Sequence, residues 1–331
     1  MTAFASRITI SEDRTDKVCK SRIRKIKDVV GNTPLTQVET LSQNKILAKL
    51  EYYNPFSLSV KDRTAVYMLT GPLEREEVDP AKDAIWIEAS SGNLGIAYGK
   101  IGKFLGLKTM VVTPSIVGDV TFKRVMANAT FTETTPGGYC PRGERDGALK
   151  KVMDTWLTNP SKYVWRDQYS NEDNIKAHEE TTGPEIWKQT KGKITALVVA
   201  TGTGGTIIGA ARYLKKKDPR IEVIAVEPQV NHHVQGVRNY RESMKPSLIK
   251  ENEDLIDEWV EIKDKEAFEA TKLLWGKGYP VGTSSGLNYA ASRIIAKRQR
   301  NGLVATVFPD ALTNSFRTMQ SYILSGKIED V

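Results

Sequence analysis

Short apolar runs rich in β-branched residues alternate along this chain with longer segments of helical period. Residues 35–38 and 45–50 alternate in the manner of strands, and 84–88, 108–113, 196–200, 221–226, 259–262 and 304–308 read as further short, largely apolar strands. Between them the pattern predicts helices from 61 through 73, after Gly95 through Leu105, over 119–128 and 186–190, after Thr206 to Lys215, over 267–277, and again from Gly286 onward. Residues 150–191 mix helical stretches with a break at 163–171. Strand and helix in repeated alternation is the signature of a mainly parallel sheet with helical cover, so the expected class is α/β. Residues 1–25 are polar without a clear period and are expected to form a loose arm or part of a subunit contact.

At 331 residues, 40% of them hydrophobic, the chain can bury a core without covalent staples and suggests two domains or one large one. No apolar run approaches the roughly 18 residues of a membrane span, and the first residues lack the core of a signal peptide, so a cytoplasmic location is expected. Cys19 and Cys140 offer no disulfide framework and no paired metal spacing. His178, His232 and His233 lack the supporting cysteines of a zinc site, and neighbouring histidines diverge on a helix, so no metal is expected. Lys and Arg number 48 against 40 Asp and Glu, a net charge of +8. The basic residues are dispersed, with no aromatic-interleaved stripe, which argues against nucleic acid and leaves small anionic substrates as the partners.

Three stretches carry candidate chemistry. In Asn54-Pro55-Phe56-Ser57-Leu58-Ser59-Val60-Lys61, a turn-prone pair hands over to a helix start bearing one lysine among small hydroxyl residues. A desolvated, partly cationic setting would lower the pKa of Lys61 far enough to bond an aldehyde; the bland alternative is a surface lysine beside Asp62. The loop Ala89-Ser90-Ser91-Gly92-Asn93 joins a strand to a helix and can point amides at a carboxylate, or be an ordinary turn with a serine cap. Thr201-Gly202-Thr203-Gly204-Gly205-Thr206 is the strongest anion signal: its glycines let a phosphate approach the amides, and Thr203 and Thr206 add hydroxyl donors. No Gly-Lys-Ser/Thr follows and the spacing is not that of a dinucleotide loop, which excludes both of those readings.

Together these residues resemble the pyridoxal-phosphate enzymes of tryptophan-synthase fold (fold type II), and within them the cysteine synthase and cystathionine β-synthase group. The likeness runs from Gly31-Asn32-Thr33-Pro34-Leu35 to Pro309-Asp310-Ala311 and includes Thr283-Ser284-Ser285-Gly286. It implies that Lys61 carries the cofactor and later removes the substrate's α-proton, and that Asn93 meets the cofactor's ring hydroxyl. It implies that Gly202, Thr203, Gly204, Gly205 and Thr206 hold the cofactor phosphate, and that Ser284 faces the pyridine nitrogen. Ser90, Ser91 and Asn93, with Gln168, would bind the substrate carboxylate. The chain departs from the family in having Ser90 and Leu94 where threonines are usual, which removes one hydroxyl beside the carboxylate site. It departs again at Arg238, where members using O-acetylserine usually have glycine and members using O-phosphoserine are similar to this chain. A guanidinium can clamp a phosphoryl leaving group; otherwise Arg238 is a solvated loop residue or pairs with Glu242.

The resemblance implies a tryptophan-synthase β-like α/β fold of two domains, each with a mainly parallel sheet. Residues 1–29 would be the arm, 55–170 the smaller mobile domain, and 30–54 with 171–331 the larger one. It implies a homodimer that makes cysteine and phosphate from O-phosphoserine and a sulfide donor, through an aminoacrylate. The alternatives on the same fold are an O-acetylserine sulfhydrylase, a cystathionine β-synthase and a 2,3-diaminopropionate synthase; a silent relative that docks a partner would lack use for Lys61.

Overall fold

The computed structural model describes residues 12–79, 83–114, 119–135 and 147–328; Cys140 and the first eleven residues of the expected arm lie outside them. Ten strands form two sheets: β1 (Leu35–Leu41), β2 (Asn44–Leu50), β3 (Ile85–Ala89), β4 (Lys108–Pro114), β5 (Phe131–Thr135), β6 (Tyr163–Trp165), β7 (Ala196–Ala200), β8 (Glu222–Pro228), β9 (Glu258–Ile262) and β10 (Leu303–Phe308). Six strands lie in the order β1-β2-β10-β7-β8-β9 and four in the order β5-β4-β3-β6. Among the strands of the described residues, only the β1–β2 pair is antiparallel. Every other pairing is parallel, as strands buried by helices on both faces require.

The β-branched runs behave as their pattern predicts. Ala196, Leu197, Val198, Val223, Ile224, Ala225 and Val304 are buried in the middle of the larger sheet. Their alternate sides feed two apolar clusters, one under the helix Thr283–Arg298 and one under Gly205–Lys217. Parallel strands need long return connections, and these two helices supply them.

Four elements depart from the expectation drawn from the sequence. Glu12–Val29 is a helix and not a loose arm. Its buried Cys19, Ile23 and Ile26, followed by Val30, form a stripe one side chain wide, and lysines and arginines around it hide the helical period from a composition-based reading. That stripe packs with the helices Lys61–Glu74 and Asn93–Leu105. β5 is half-exposed and polar, and β6 has three residues, both below what periodicity detects. The C-terminal helix Phe316–Ser325 also has no forerunner in the sequence reading.

The two sheets meet at the lysine-bearing turn. Val60 N–H donates to Pro309 O (2.8 Å) and Ala311 N–H to Leu58 O (3.1 Å), so the turn before Lys61 is zipped to the exit of β10. The helix that Lys61 opens then runs into the core beside the smaller sheet.

Candidate active site

Lys61 is the first residue of its helix and only partly accessible. The turn before it is held by Asp62, whose carboxylate accepts Phe56 N–H (2.7 Å), Ser57 N–H (2.8 Å) and the Ser57 hydroxyl. Asp62 is therefore turned back into the loop and does not neutralise its neighbour. Leu58 sits at φ 58°, a left-handed conformation that leucine rarely adopts, which marks a turn constrained by its surroundings. Burial, then the charge of Arg238, lower the pKa of Lys61 to about 8, while Glu88 opposes them. No ion pair reaches Lys61 among the described residues. Lys49 makes the contrast: fully buried, it is bound to Glu185 (2.5 Å), Thr33 O (2.5 Å) and Gln189 Oε1 (2.9 Å) and has no amine to spare.

A lysine held at a lowered pKa is a cost to the fold. An unfolded Lys61 binds its proton up to its ordinary pKa of 10.5 and the folded one only up to about 8, so the penalty is full below pH 8 and fades as pH rises between the two. Lys61→Met is expected to raise the stability of the cofactor-free protein at pH 7 by on the order of 1–3 kcal/mol, with the gain vanishing above pH 10.5. Chemical denaturation at pH 7 and pH 10.5 checks this; a variant no more stable at pH 7 would show that the amine is freely solvated.

The start of the helix lies against a buried ion network. Arg63 donates through Nε to Glu51 (2.7 Å) and through Nη2 to the other oxygen of Glu51 (2.8 Å), and meets Glu185 through Nη1 (2.6 Å) and Nη2 (2.8 Å). Glu51 also accepts the Thr33 hydroxyl (2.7 Å) and the Asn54 amide (2.8 Å). Burial would raise the pKa of Glu51, but the Arg63 guanidinium outweighs it and holds the carboxyl below its usual value.

β7 ends in the glycine loop. Gly204 caps the helix Gly205–Lys217 at φ 92°. A Cβ on Gly202 would lie 2.8 Å from Gly236 O, on Gly204 2.6 Å from Ile249, and on Gly205 2.2 Å from Asn174 Oδ1. Only glycines fit against that backing, and the first-turn amides have no intrahelical acceptor, which leaves them for an anion. Thr203 Oγ1 accepts Asn174 Nδ2 (2.9 Å), and Thr206 Oγ1 lies 3.2 Å from His178 Nε2. Burial and the charges of Arg63 and Lys61 keep His178 neutral.

The remaining predicted residues fall around these two walls. Ser90 is buried, its Oγ accepting Gly95 N–H (2.8 Å) and Gly92 N–H (3.2 Å), so it shapes the loop that leaves Ser91 exposed. Gln168 donates to Ala89 O (2.9 Å), placing it against the same loop. Between Ala89 and Gln168 the buried Glu88 carboxyl accepts both backbone N–H groups, and burial pushes its pKa well above the usual carboxylate range. Asn93 opens the helix Asn93–Leu105 and donates to Asp310 Oδ2 (2.8 Å). Ser284, in the first turn of Thr283–Arg298, lies 3.5 Å from Asp310 Oδ1. A lysine tuned toward its neutral form, a glycine cradle, an amide donor and a buried hydroxyl make a donor set that fits a phosphorylated aldehyde with an aromatic ring.

The sequence profile described as pyridoxal-phosphate dependent enzyme matches residues 26–310. The chain belongs to that family. Among curated proteins, the cysteine synthase of Aquifex aeolicus is 38% identical over 294 residues, 85% of this chain and 87% of its own. Cysteine synthase B of Pseudomonas aeruginosa is 33% identical over 291 residues, 86% of this chain and 93% of its own. Among solved structures, a cysteine synthase from Entamoeba histolytica superposes with TM-score 0.80 at 27% identity, covering 99% of this chain and 94% of that one. An O-acetylserine dependent cystathionine β-synthase from Helicobacter pylori gives TM-score 0.77 at 30% identity, covering 87% and 95%. This is a fold-type-II enzyme of the cysteine synthase type, and its cofactor is pyridoxal 5'-phosphate.

Within this pyridoxal-phosphate enzyme, Arg238 lies in the loop after β8 and its charge acts on Lys61. Its N–H donates to Thr201 O (2.8 Å), its Nη2 to Tyr169 OH (2.7 Å), and its guanidinium lies 4.5 Å from the Tyr169 ring centre. Sequence reasoning missed Asp310, Tyr169, Asn174 and His178. Asn174 and His178 lie in helical segments where polar residues look like solvated faces. The one signal for them is the π-helical turn His178–Thr182, which periodicity does not reveal.

Proposed function

We propose that this enzyme replaces the β-substituent of O-phosphoserine with sulfide, giving cysteine and phosphate. The observation that carries the reading is Arg238, a cation near enough to Lys61 to lower its pKa and seated on Thr201 beside the phosphate loop. A leaving phosphoryl group carries up to two negative charges that a guanidinium fork can meet, whereas an acetyl group carries none.

Bound pyridoxal phosphate supplies the electron sink at the substrate's α-carbon. The neutral Lys61 amine would take the substrate's α-proton; its lowered pKa is what makes it a base near neutral pH. Ser91, with the amides that Ser90 orders and Gln168 supports, holds the substrate carboxylate. Asn93 and Ser284 orient the ring, and the loop from Gly202 to Thr206 anchors the phosphate. The unit around the smaller sheet, residues 55–170, would close on the larger one and exclude water until sulfide adds. The same reading carries a cytoplasmic homodimer as the working unit.

A second reading is sulfhydrylation of O-acetylserine. Arg238 already has Tyr169 as a partner, and the Helicobacter protein that this chain resembles is described as O-acetylserine dependent. Steady-state kinetics with each ester and sulfide, on the native enzyme and Arg238→Ala, separate the two. The phosphoserine reading expects a native preference for the phosphate ester. It expects kcat/KM for that ester to fall about 10–100-fold in the variant, the loss of a charged hydrogen bond, with the acetyl ester little changed. Equal or better use of O-acetylserine by the native enzyme would overturn it.

A further inference from the structure

We propose that Asn174 is a positioning residue of the phosphate loop: its amide donates to the Thr203 hydroxyl from behind, which leaves the hydroxyl hydrogen to be donated to the cofactor phosphate. The inference rests on the reading of residues 202–206 as the phosphate loop and deepens it.

Asn174 lies in the short helix Glu172–Ala177 and is fully buried. Both ends of its amide are committed. Nδ2 donates to Gln168 O (2.8 Å) and to Thr203 Oγ1 (2.9 Å), and Oδ1 accepts the Thr64 hydroxyl (3.0 Å). The amide has no choice of orientation, because a backbone carbonyl only accepts and Gln168 O therefore demands the NH2 end. Oδ1 then faces Thr64, in the first turn of the helix that Lys61 opens. A Cβ on Gly205 would lie 2.2 Å from this oxygen, so the side chain is wedged behind the start of the helix Gly205–Lys217. One amide thus ties together the Lys61 helix, the segment carrying Gln168 and the glycine loop.

A charged phosphate oxygen only accepts hydrogen bonds, so a threonine serves it solely with its O–H hydrogen. A hydroxyl has one such hydrogen and gives it up to whichever acceptor lies nearest. At Thr203 the polar atom behind the loop is a donor, which engages an oxygen lone pair and cannot take the hydrogen. Thr203 is buried, and its hydroxyl makes no other hydrogen bond among the described residues. The donor is thereby set before the cofactor arrives, and a group ordered beforehand costs less to engage. The less informative role for Asn174 is a strut among three segments, which would affect stability alone.

The test titrates cofactor-free protein, prepared from the holoenzyme, with pyridoxal phosphate. It follows the visible band and the phosphorus-31 resonance of the bound phosphate, with thermal unfolding measured in parallel. Asn174→Ala is compared in the native, Thr203→Ser and Thr203→Val backgrounds. The inference expects about tenfold weaker binding and a moved phosphorus line wherever position 203 keeps a hydroxyl. In the Thr203→Val background the same replacement should cost less than about twofold, since the group it acts through is gone. An equal loss in all three backgrounds overturns the inference, as does lowered thermal stability with native affinity and phosphorus line. If Thr203→Val itself binds the cofactor as the native protein does, the phosphate reading of Thr203 falls and takes the inference with it. If Thr203→Val weakens binding and Asn174→Ala does not, only the inference falls. Where the alanine variant does not fold, Asn174→Asp keeps the shape but offers only acceptors, which draw the Thr203 hydrogen away. A larger loss with the hydroxyl at 203 than without it then upholds the inference; native affinity, or an equal loss in both, overturns it.

Discussion

Replacing Lys61 by alanine is expected to lower turnover by at least about a thousandfold, the scale of losing a positioned base together with the amine that holds the cofactor. The protein should still fold and still take up pyridoxal phosphate weakly, because the glycine loop, Asn93 and Ser284 are untouched. What singles out Lys61 is its surroundings. Lys49 is fully buried, and Glu185, Thr33 and Gln189 occupy its amine, while Lys61 is flanked by the Arg238 charge and has its pKa pulled down to about 8. Activity assays with added cofactor and an exogenous primary amine check the prediction; a variant that retains more than about a tenth of native turnover would place the base elsewhere.

The second large effect belongs to the ion network behind that lysine. Glu51→Ala should destabilise the protein by about 3–5 kcal/mol, the usual result of stripping one partner from a buried ion pair. The side chain removed is fully buried, and Arg63 would be left with Glu185 as its one carboxylate and the Thr33 hydroxyl (3.2 Å), its Nε and one Nη2 contact unmatched. Glu51→Gln should cost less, since one acceptor survives. The pH dependence has a definite sign: the folded pKa of Glu51 is depressed, so its stabilisation is complete above the unfolded value near 4.5 and is lost as pH falls through the lower folded one. Urea unfolding of native and Gln forms at pH 7 and pH 3 measures it; a difference that grows toward acid would reverse the assignment. Arg63 lies two residues after Lys61, so the Ala variant should lose activity even where it remains folded.

The parts of this architecture that were legible in the sequence are those encoded by neighbours in the chain. Runs such as Ala196–Ala200 announce a buried strand without help, and Gly202 to Thr206 announces an anion loop because successive glycines have few other uses. The helix start at Lys61 was legible from the turn-prone pair before it. Asp310 was not, because its meaning depends on Asn93, 217 residues away. The same holds for Glu51 and Glu185 around Arg63, where 122 residues separate Arg63 from Glu185. The helix Glu12–Val29 was hidden for a different reason: its single apolar stripe is outnumbered by charged residues, and only packing against the helices of the smaller sheet makes it count. Separation along the chain and dilution of a weak pattern thus account for the misses, and both are overcome in the folded molecule by contacts that no local window contains.

The most direct test of the central claim, that Lys61 bonds the cofactor, is reduction of the holoenzyme with borohydride followed by peptide mapping. The account predicts one peptide bearing the reduced cofactor, with the modification on Lys61 and none on Lys49 or Lys100. Modification of another lysine, or of none in a holoenzyme that turns over substrate, would contradict it.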